Sequence, residues 1–140
     1  MKRIIHILLV ICIGTSLNSF GQNTSADCVY EVDTLTGETV YTSVDSMPSP
    51  LKGNKELMNE LKDLQYTTDP VSWETKIYVA FIINENGELT GKRILKNIDG
   101  TDLAEQVLTL VDNVEWKPGK CNGSPVPVLY KLPVILELKK

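Results

Sequence analysis

Histidine is almost absent: His6 is the one imidazole in 140 residues. Ser-His-Asp and Cys-His catalysis need that ring, as do most zinc and haem sites. Those chemistries are excluded from any form of the chain that has lost its first residues. Cysteine is scarce, with Cys12, Cys28 and Cys121 alone. Positive charge is in deficit, 14 Lys and Arg standing against 18 Asp and Glu. Such a surface repels phosphate backbones, and its basic residues are scattered with no aromatic rings interleaved, so nucleic-acid binding has no support. Long apolar runs are missing too: residues 4–13, interrupted by His6, fall far short of the ~20 residues a membrane-spanning helix needs.

What is present begins with that short run. Lys2 and Arg3 precede it, and the small residues Ser16, Ser19 and Gly21 follow, the pattern of a secretory signal peptide cut after Gly21. Residues 1–21 are thus expected to be a signal and the mature protein periplasmic. The alternative is an uncleaved inner-membrane anchor. A lipid anchor through Cys12 has the bulky Ile11 against it. Cleavage would remove Lys2, Arg3, His6 and Cys12, leaving a net charge of 12 − 18 = −6. Cys28 and Cys121 then remain in an oxidising compartment, either as a disulfide or as two free thiols. The length suits one domain.

Residues 22–27 read as a polar tail. Residues 28–44 alternate loosely around Thr36-Gly37, which fits a hairpin or two short strands, and Met47-Pro48-Ser49-Pro50 should break any regular element. Leu57, Leu61 and Leu64, with Met58 widening the stripe, predict an amphipathic helix over residues 54–64. Residues 76–83 read as a central strand, and Asn86-Gly87 predicts a tight hairpin into a strand over residues 89–95. Asp102 and Glu105 have the spacing of a capping box. They open a second helix whose apolar face is Leu103, Val107, Leu110, Val111 and Val114 and which ends near Asn113. From Val126 to Leu138 every second residue is apolar, so one face of this last strand is core. Pro127 and Pro133 lie on its other face and predict a sheet edge, at least between them.

Enzyme-like patterns are weak. Ser49-Pro50-Leu51-Lys52 matches S-x-x-K without its partner motifs. Asn84-Glu85-Asn86-Gly87-Glu88 has glycine at the wrong place for a calcium loop. Glu56 and Glu60 share a helix face opposite the leucine stripe, where solvation explains them. No cofactor or metal site is expected.

Several separated stretches together resemble one family. Val114-Glu115-Trp116-Lys117-Pro118-Gly119-Lys120, Asn122-Gly123-Ser124-Pro125-Val126-Pro127-Val128 and Tyr130-Lys131-Leu132-Pro133 resemble the closing signature of TonB C-terminal domains. Val40-Tyr41, Met47-Pro48, Tyr78-Val79-Ala80-Phe81 and Asn86-Gly87 are similar to versions from Bacteroidetes-type bacteria. The likeness covers residues 40–138. Within the signature, Trp116 is large enough to close the core where the second helix leaves the sheet. Pro118-Gly119 should turn the chain back, and Asn122-Gly123 should give a second turn from which Pro125 starts the last strand.

The resemblance implies an α+β fold, two helices packed on one face of a small antiparallel sheet, over residues 40–140, with residues 22–39 as tail and possible hairpin. It also implies binding by strand addition rather than catalysis. Domains of this family pair the edge of their final strand with the TonB box of outer-membrane receptors, in energy-coupled nutrient transport. Val128, Leu129, Tyr130, Lys131, Leu132 and Pro133 are the implied partner-binding residues. A full transducer of the family has a long proline-rich spacer. Here the ~28 residues from Gly14 to Tyr41 reach at most about 100 Å, so an adaptor role is expected rather than force transmission. The other expectation is a self-associating envelope protein, a homodimer through its edge strand.

Overall fold

The computed structural model describes residues 27–64 and 76–135. The expected signal at residues 1–21, the loop around Thr67-Thr68-Asp69-Pro70, and Leu136 and Leu138 lie outside the described residues. In chain order the elements are β1 (Val29–Val32), β2 (Thr39–Ser43), β3 (Ser49–Pro50), α1 (Asn54–Lys62), β4 (Lys76–Ile83) and β5 (Leu89–Lys96). They continue with α2 (Leu103–Asp112), β6 (Trp116–Lys117), β7 (Gly119–Cys121), β8 (Ser124–Val126) and β9 (Val128–Ile135). The main sheet has the order β1-β2-β9-β4-β5, and β3-β6 and β7-β8 form two small ribbons.

The architecture is α+β, but the sheet is mixed rather than wholly antiparallel, because β2 runs parallel to β9. β4 and β9 pair without a break from Lys76↔Ile135 to Ile83↔Val128. Strand alternation then sends Ile77, Val79, Phe81 and Ile83 of β4 to one side, beside Leu132 and Val134 of β9. Leu57 and Leu61 of α1 and Leu103, Ala104, Val107 and Val111 of α2 complete that core. Met58 does not belong to it and stands half exposed. The β1-β2 hairpin runs across position 40, so residues on both sides of the expected domain start share one ladder.

Ala80 and Ile82, on the opposite face of β4, are also buried. The tip of the β1-β2 hairpin reaches this side. A Cβ on Gly91 of β5 would lie 3.0 Å both from Ile82 Cδ1 and from Thr36 Cγ2. Asp33 anchors the tip: its two carboxylate oxygens receive Arg93 Nη1 at 2.8 Å and Nη2 at 2.9 Å. Asp33 is only 3 % exposed and also accepts from the Thr36 amide and hydroxyl. The Arg93 guanidinium holds its carboxyl at about 2, against an ordinary 3.8, despite the opposing effect of burial.

Several local expectations are corrected. The tight hairpin expected at Asn86-Gly87 forms, with its turn type now defined: Asn84 N–H donates to Glu88 C=O and Gly87 N–H to Asn84 C=O, and of this pair only Gly87 has positive φ. This is a three-residue loop in which glycine takes the left-handed position. The Asp102–Glu105 capping box does not form. Asp102 makes no side-chain cap and accepts instead from Gln106 Nε2, while Asn97 Oδ1 accepts the Ala104 amide in the first turn. Ser49-Pro50 is not a pure connector but pairs with Trp116-Lys117. Pro118-Gly119 does not reverse the chain: it passes from β6 directly into β7, and the reversal falls at Asn122-Gly123, both with positive φ. Pro125 sits in β8, and the last strand starts only at Val128, after Pro127.

Two outcomes test this packing. Gly87→Ala would place a Cβ 2.3 Å from Trp116 C=O at φ 80°, whereas Gly123→Ala meets nothing within 4 Å at the same φ. In urea unfolding Gly123→Ala should cost about 1 kcal/mol and Gly87→Ala at least twice as much. Asp33→Asn should lose about 2 kcal/mol at neutral pH, the worth of charge-assisted hydrogen bonds to a buried group. Because folding depresses the Asp33 pKa, its contribution is complete above the ordinary 3.8 and is lost as pH falls through about 2. The gap between wild type and Asp33→Asn should therefore shrink across that window.

Candidate functional site

The six implied binding residues divide by parity. Val128, Tyr130 and Leu132 point to the same side as their β4 partners Ile83, Phe81 and Val79: Val128 and Leu132 are buried, and Tyr130 is half-buried. The Tyr130 ring forms a triangle with Phe81 and Trp116, every pair of centroids 5.5 Å apart. Burial pushes the Tyr130 hydroxyl pKa up. Trp116 Nε1 donates to Val111 C=O at 3.1 Å, which leaves the indole with no unpaired donor in the core. Leu129, Lys131 and Pro133 have the opposite parity. Lys131 and Pro133 are exposed and Leu129 is intermediate.

The same parity governs the backbone. In an antiparallel pair, one residue's N–H and C=O point to the same neighbouring strand. Tyr41 N–H donates to Pro127 C=O at 2.8 Å, so the odd-numbered residues of this segment aim at the β2 side and the even-numbered ones at β4. Pro127 and Pro133 are both odd. Each lacks a donor only where β4 does not need one, which explains two prolines beside an unbroken ladder.

The edge expected between Pro127 and Pro133 is therefore only partly open. β9 lies inside the sheet order, and β2 covers its first residue through the single pair Tyr41↔Val128. Beyond that rung no described strand pairs with this side of β9. The row from Leu129 to Ile135 is about 20 Å long. It presents the carbonyls of Leu129, Lys131 and Pro133 and the amides of Lys131 and Ile135.

Near the covered end, Cys28 and Cys121 are joined, with Cα atoms 6.2 Å apart. Asp45 Oδ1 stands 3.9 Å from Cys28 Sγ, and its Oδ2 accepts the Asn122 amide at 2.6 Å. These three side chains have metal-ligand types close together, but both sulfurs are engaged in the bridge and are not thiolate ligands in this state. The enzyme-like patterns dissolve into ordinary structure. Glu56 pairs with Lys52 at 3.5 Å, and Asn84 Oδ1 accepts the Asn86 and Glu88 amides of its own turn.

Asp33, Arg93 and Asn97 shape the fold without having been singled out in the sequence. Asp33-Thr34-Leu35-Thr36-Gly37 carries a local turn signal. Nothing local marks Arg93, 60 residues away, as its partner.

An α+β domain with a tethered N-terminal hairpin and one half-open sheet edge is the class these features define. Residues 72–138 match the family described as Gram-negative bacterial TonB protein C-terminal, and this match supports the TonB C-terminal domain family for this part of the chain. No curated protein matches the chain. The family is a non-enzymatic, transport-associated domain of the cell envelope that interacts in general with outer-membrane receptors. Among the described residues no helix is long and apolar enough to cross a membrane.

The parity assignment has a direct check by native-state hydrogen exchange. The amides of Tyr130, Leu132 and Val134 should exchange at least about a hundredfold more slowly than those of Lys131 and Ile135. Equal protection along the strand would mean that the outer row is paired.

Proposed function

We propose that the domain works in the periplasm, with both helices against one face of its sheet, and receives a short extended segment of an outer-membrane receptor along residues 129–135 of β9. The visiting strand takes the place on the sheet that β2 leaves empty after its one rung. The observation that carries this reading is the outward row of backbone groups between Leu129 and Ile135, continuous with a fully paired ladder on the other side. A rigid, preformed edge lowers the ordering cost of binding, because only the visitor has to become extended. Lys131 and Pro133 on the row act as guards against indiscriminate pairing, a charge and a missing donor. Receptor binding places the domain in energy-coupled nutrient transport, as expected of its family.

The second reading is self-association. β1 is the outer strand at one end of the sheet, and Val29, Tyr30 and Val32 on it are 53 %, 65 % and 65 % exposed. That apolar edge favours a second copy of the chain.

Lys131→Pro separates the two readings. It deletes the one outward amide between Leu129 and Ile135 and, by parity, leaves the β4 ladder intact. Titration with a TonB-box peptide, followed by amide shifts, should show binding to residues 129–135 of the wild type. The substitution should weaken it at least about tenfold, or 1.4 kcal/mol, with the folded spectrum retained. A dimer on size exclusion that ignores the peptide and is unchanged by Lys131→Pro would favour self-association through β1.

A further inference from the structure

The base of the N-terminal hairpin brings together Cys28, Asp45 and Cys121 from three segments of the chain, with their sulfur and carboxylate oxygen atoms all within 4.8 Å of one another. Backbone pairing independent of the bridge holds each of them there. Val29, next to Cys28, pairs with Ser43. Ser46, next to Asp45, exchanges both backbone hydrogen bonds with Lys120, next to Cys121, at 2.8 and 3.1 Å. Asp45 Oδ2 accepts the Asn122 amide, which leaves Oδ1 toward the sulfurs, 3.9 Å from Cys28 Sγ. Asp45 is exposed, both cysteines are half-buried, and among the described residues the carboxylate has no ion pair.

We propose that, once the bridge is reduced, Cys28, Asp45 and Cys121 form a zinc site that clamps the base of the hairpin in place of the disulfide. A dithiol reductant opens the bridge: its two thiols pass two electrons and two protons to the two sulfurs, and it leaves as its own disulfide. Zinc then displaces both thiol protons and binds the two thiolates and one carboxylate oxygen, with water in the fourth position. Bonds of about 2.3 Å to sulfur and about 2.1 Å to oxygen in a tetrahedron place the sulfurs about 3.8 Å apart and the oxygen about 3.6 Å from each. The distance from Asp45 Oδ1 to Cys28 Sγ is already 3.9 Å, and Cα atoms 6.2 Å apart let the sulfurs separate by side-chain rotation. The Asn122 amide fixes the orientation of the carboxylate from outside the ligand set. Two thiolates select a borderline-soft ion and reject calcium and magnesium, which take oxygen ligands.

The test uses the full chain with Cys12→Ser, so that Cys28 and Cys121 are its only cysteines. Kept reduced by a phosphine, it should take one zinc ion per chain from a chromophoric chelator. Cobalt in place of zinc should show the thiolate charge-transfer and visible bands of a tetrahedral site. The oxidised chain, with no thiolate to offer, should bind no zinc at the same concentration. Affinity should fall with pH, because the thiols must lose their protons. Asp45→Asn, whose fold is checked in the oxidised form where the bridge remains, should weaken zinc binding to the reduced chain at least about tenfold. In the zinc-bound reduced chain the Tyr41 amide, which donates to Pro127 C=O, should exchange as slowly as in the oxidised one. Equal zinc binding by oxidised and reduced chains, or none by either, would overturn the inference. Binding unchanged by Asp45→Asn would also overturn it, leaving chelation by two cysteines alone. Binding that leaves the Tyr41 amide fast would do the same, because the thiols would then be captured from an open hairpin.

Discussion

The unbroken ladder between β4 and β9 is the constraint on which the rest of the structure depends. It fixes the parity of β9, and parity decides everything that strand does. Even residues enter the core with Phe81 and Trp116, and odd residues carry their backbone groups away from β4. Shifting the register by one residue would bury Lys131 and expel Leu132, while placing Pro127 and Pro133 where β4 requires donors. The two prolines thus act as register pins as well as edge markers. The aromatic triangle adds its weight to the same register, because Tyr130 reaches Phe81 and Trp116 only from the even side.

Given that parity, the N-terminal hairpin determines how much of the edge is open. Left to its sequence, a two-stranded hairpin is marginal in water. Here it is held at separate points: the Cys28–Cys121 bridge at its base, the Tyr41↔Val128 rung at its middle and the Asp33–Arg93 pair at its tip. The tip tether draws residues 33–37 across the face of the sheet that carries Ala80 and Ile82. β2 is thereby directed away from β9 after one rung, rather than running alongside it. An ion pair on one side of the sheet accordingly leaves hydrogen-bonding groups free at the edge. Breaking it would loosen the hairpin without disturbing β4 or β9.

The sequence made the main elements legible because their signals are local. The leucine spacing in α1, the β-branched run of β4 and the period-two alternation before residue 136 each need only a few neighbours to be read. Asn86-Gly87 marked its turn, but the loop type depends on Asn84, whose side chain binds two amides across the turn, and no dipeptide rule contains it. The capping box failed for a similar reason. Asn97, seven residues before Ala104, accepts an amide of the first turn, while the Asp102 carboxylate accepts from Gln106 instead of capping. Trp116 was legible as a core residue, whereas its triangle with Phe81 and Tyr130 joins residues from three distant segments. Pro127 and Pro133 marked the odd-numbered groups as turned away from β4, although β9 lies inside the sheet order and not at its edge. What they could not convey is that β2 returns from far upstream to cover the first rung.

An open edge invites indiscriminate pairing, and the local composition of β9 addresses this directly. A flat, apolar, fully donating edge would pair with any strand it met. On this edge the amide row is interrupted at Pro133, Lys131 repels a second copy of itself in close register, and the covered rung shortens the template. The remaining surface is too brief for stable pairing by backbone alone, so side-chain contacts must supply the difference for any visitor.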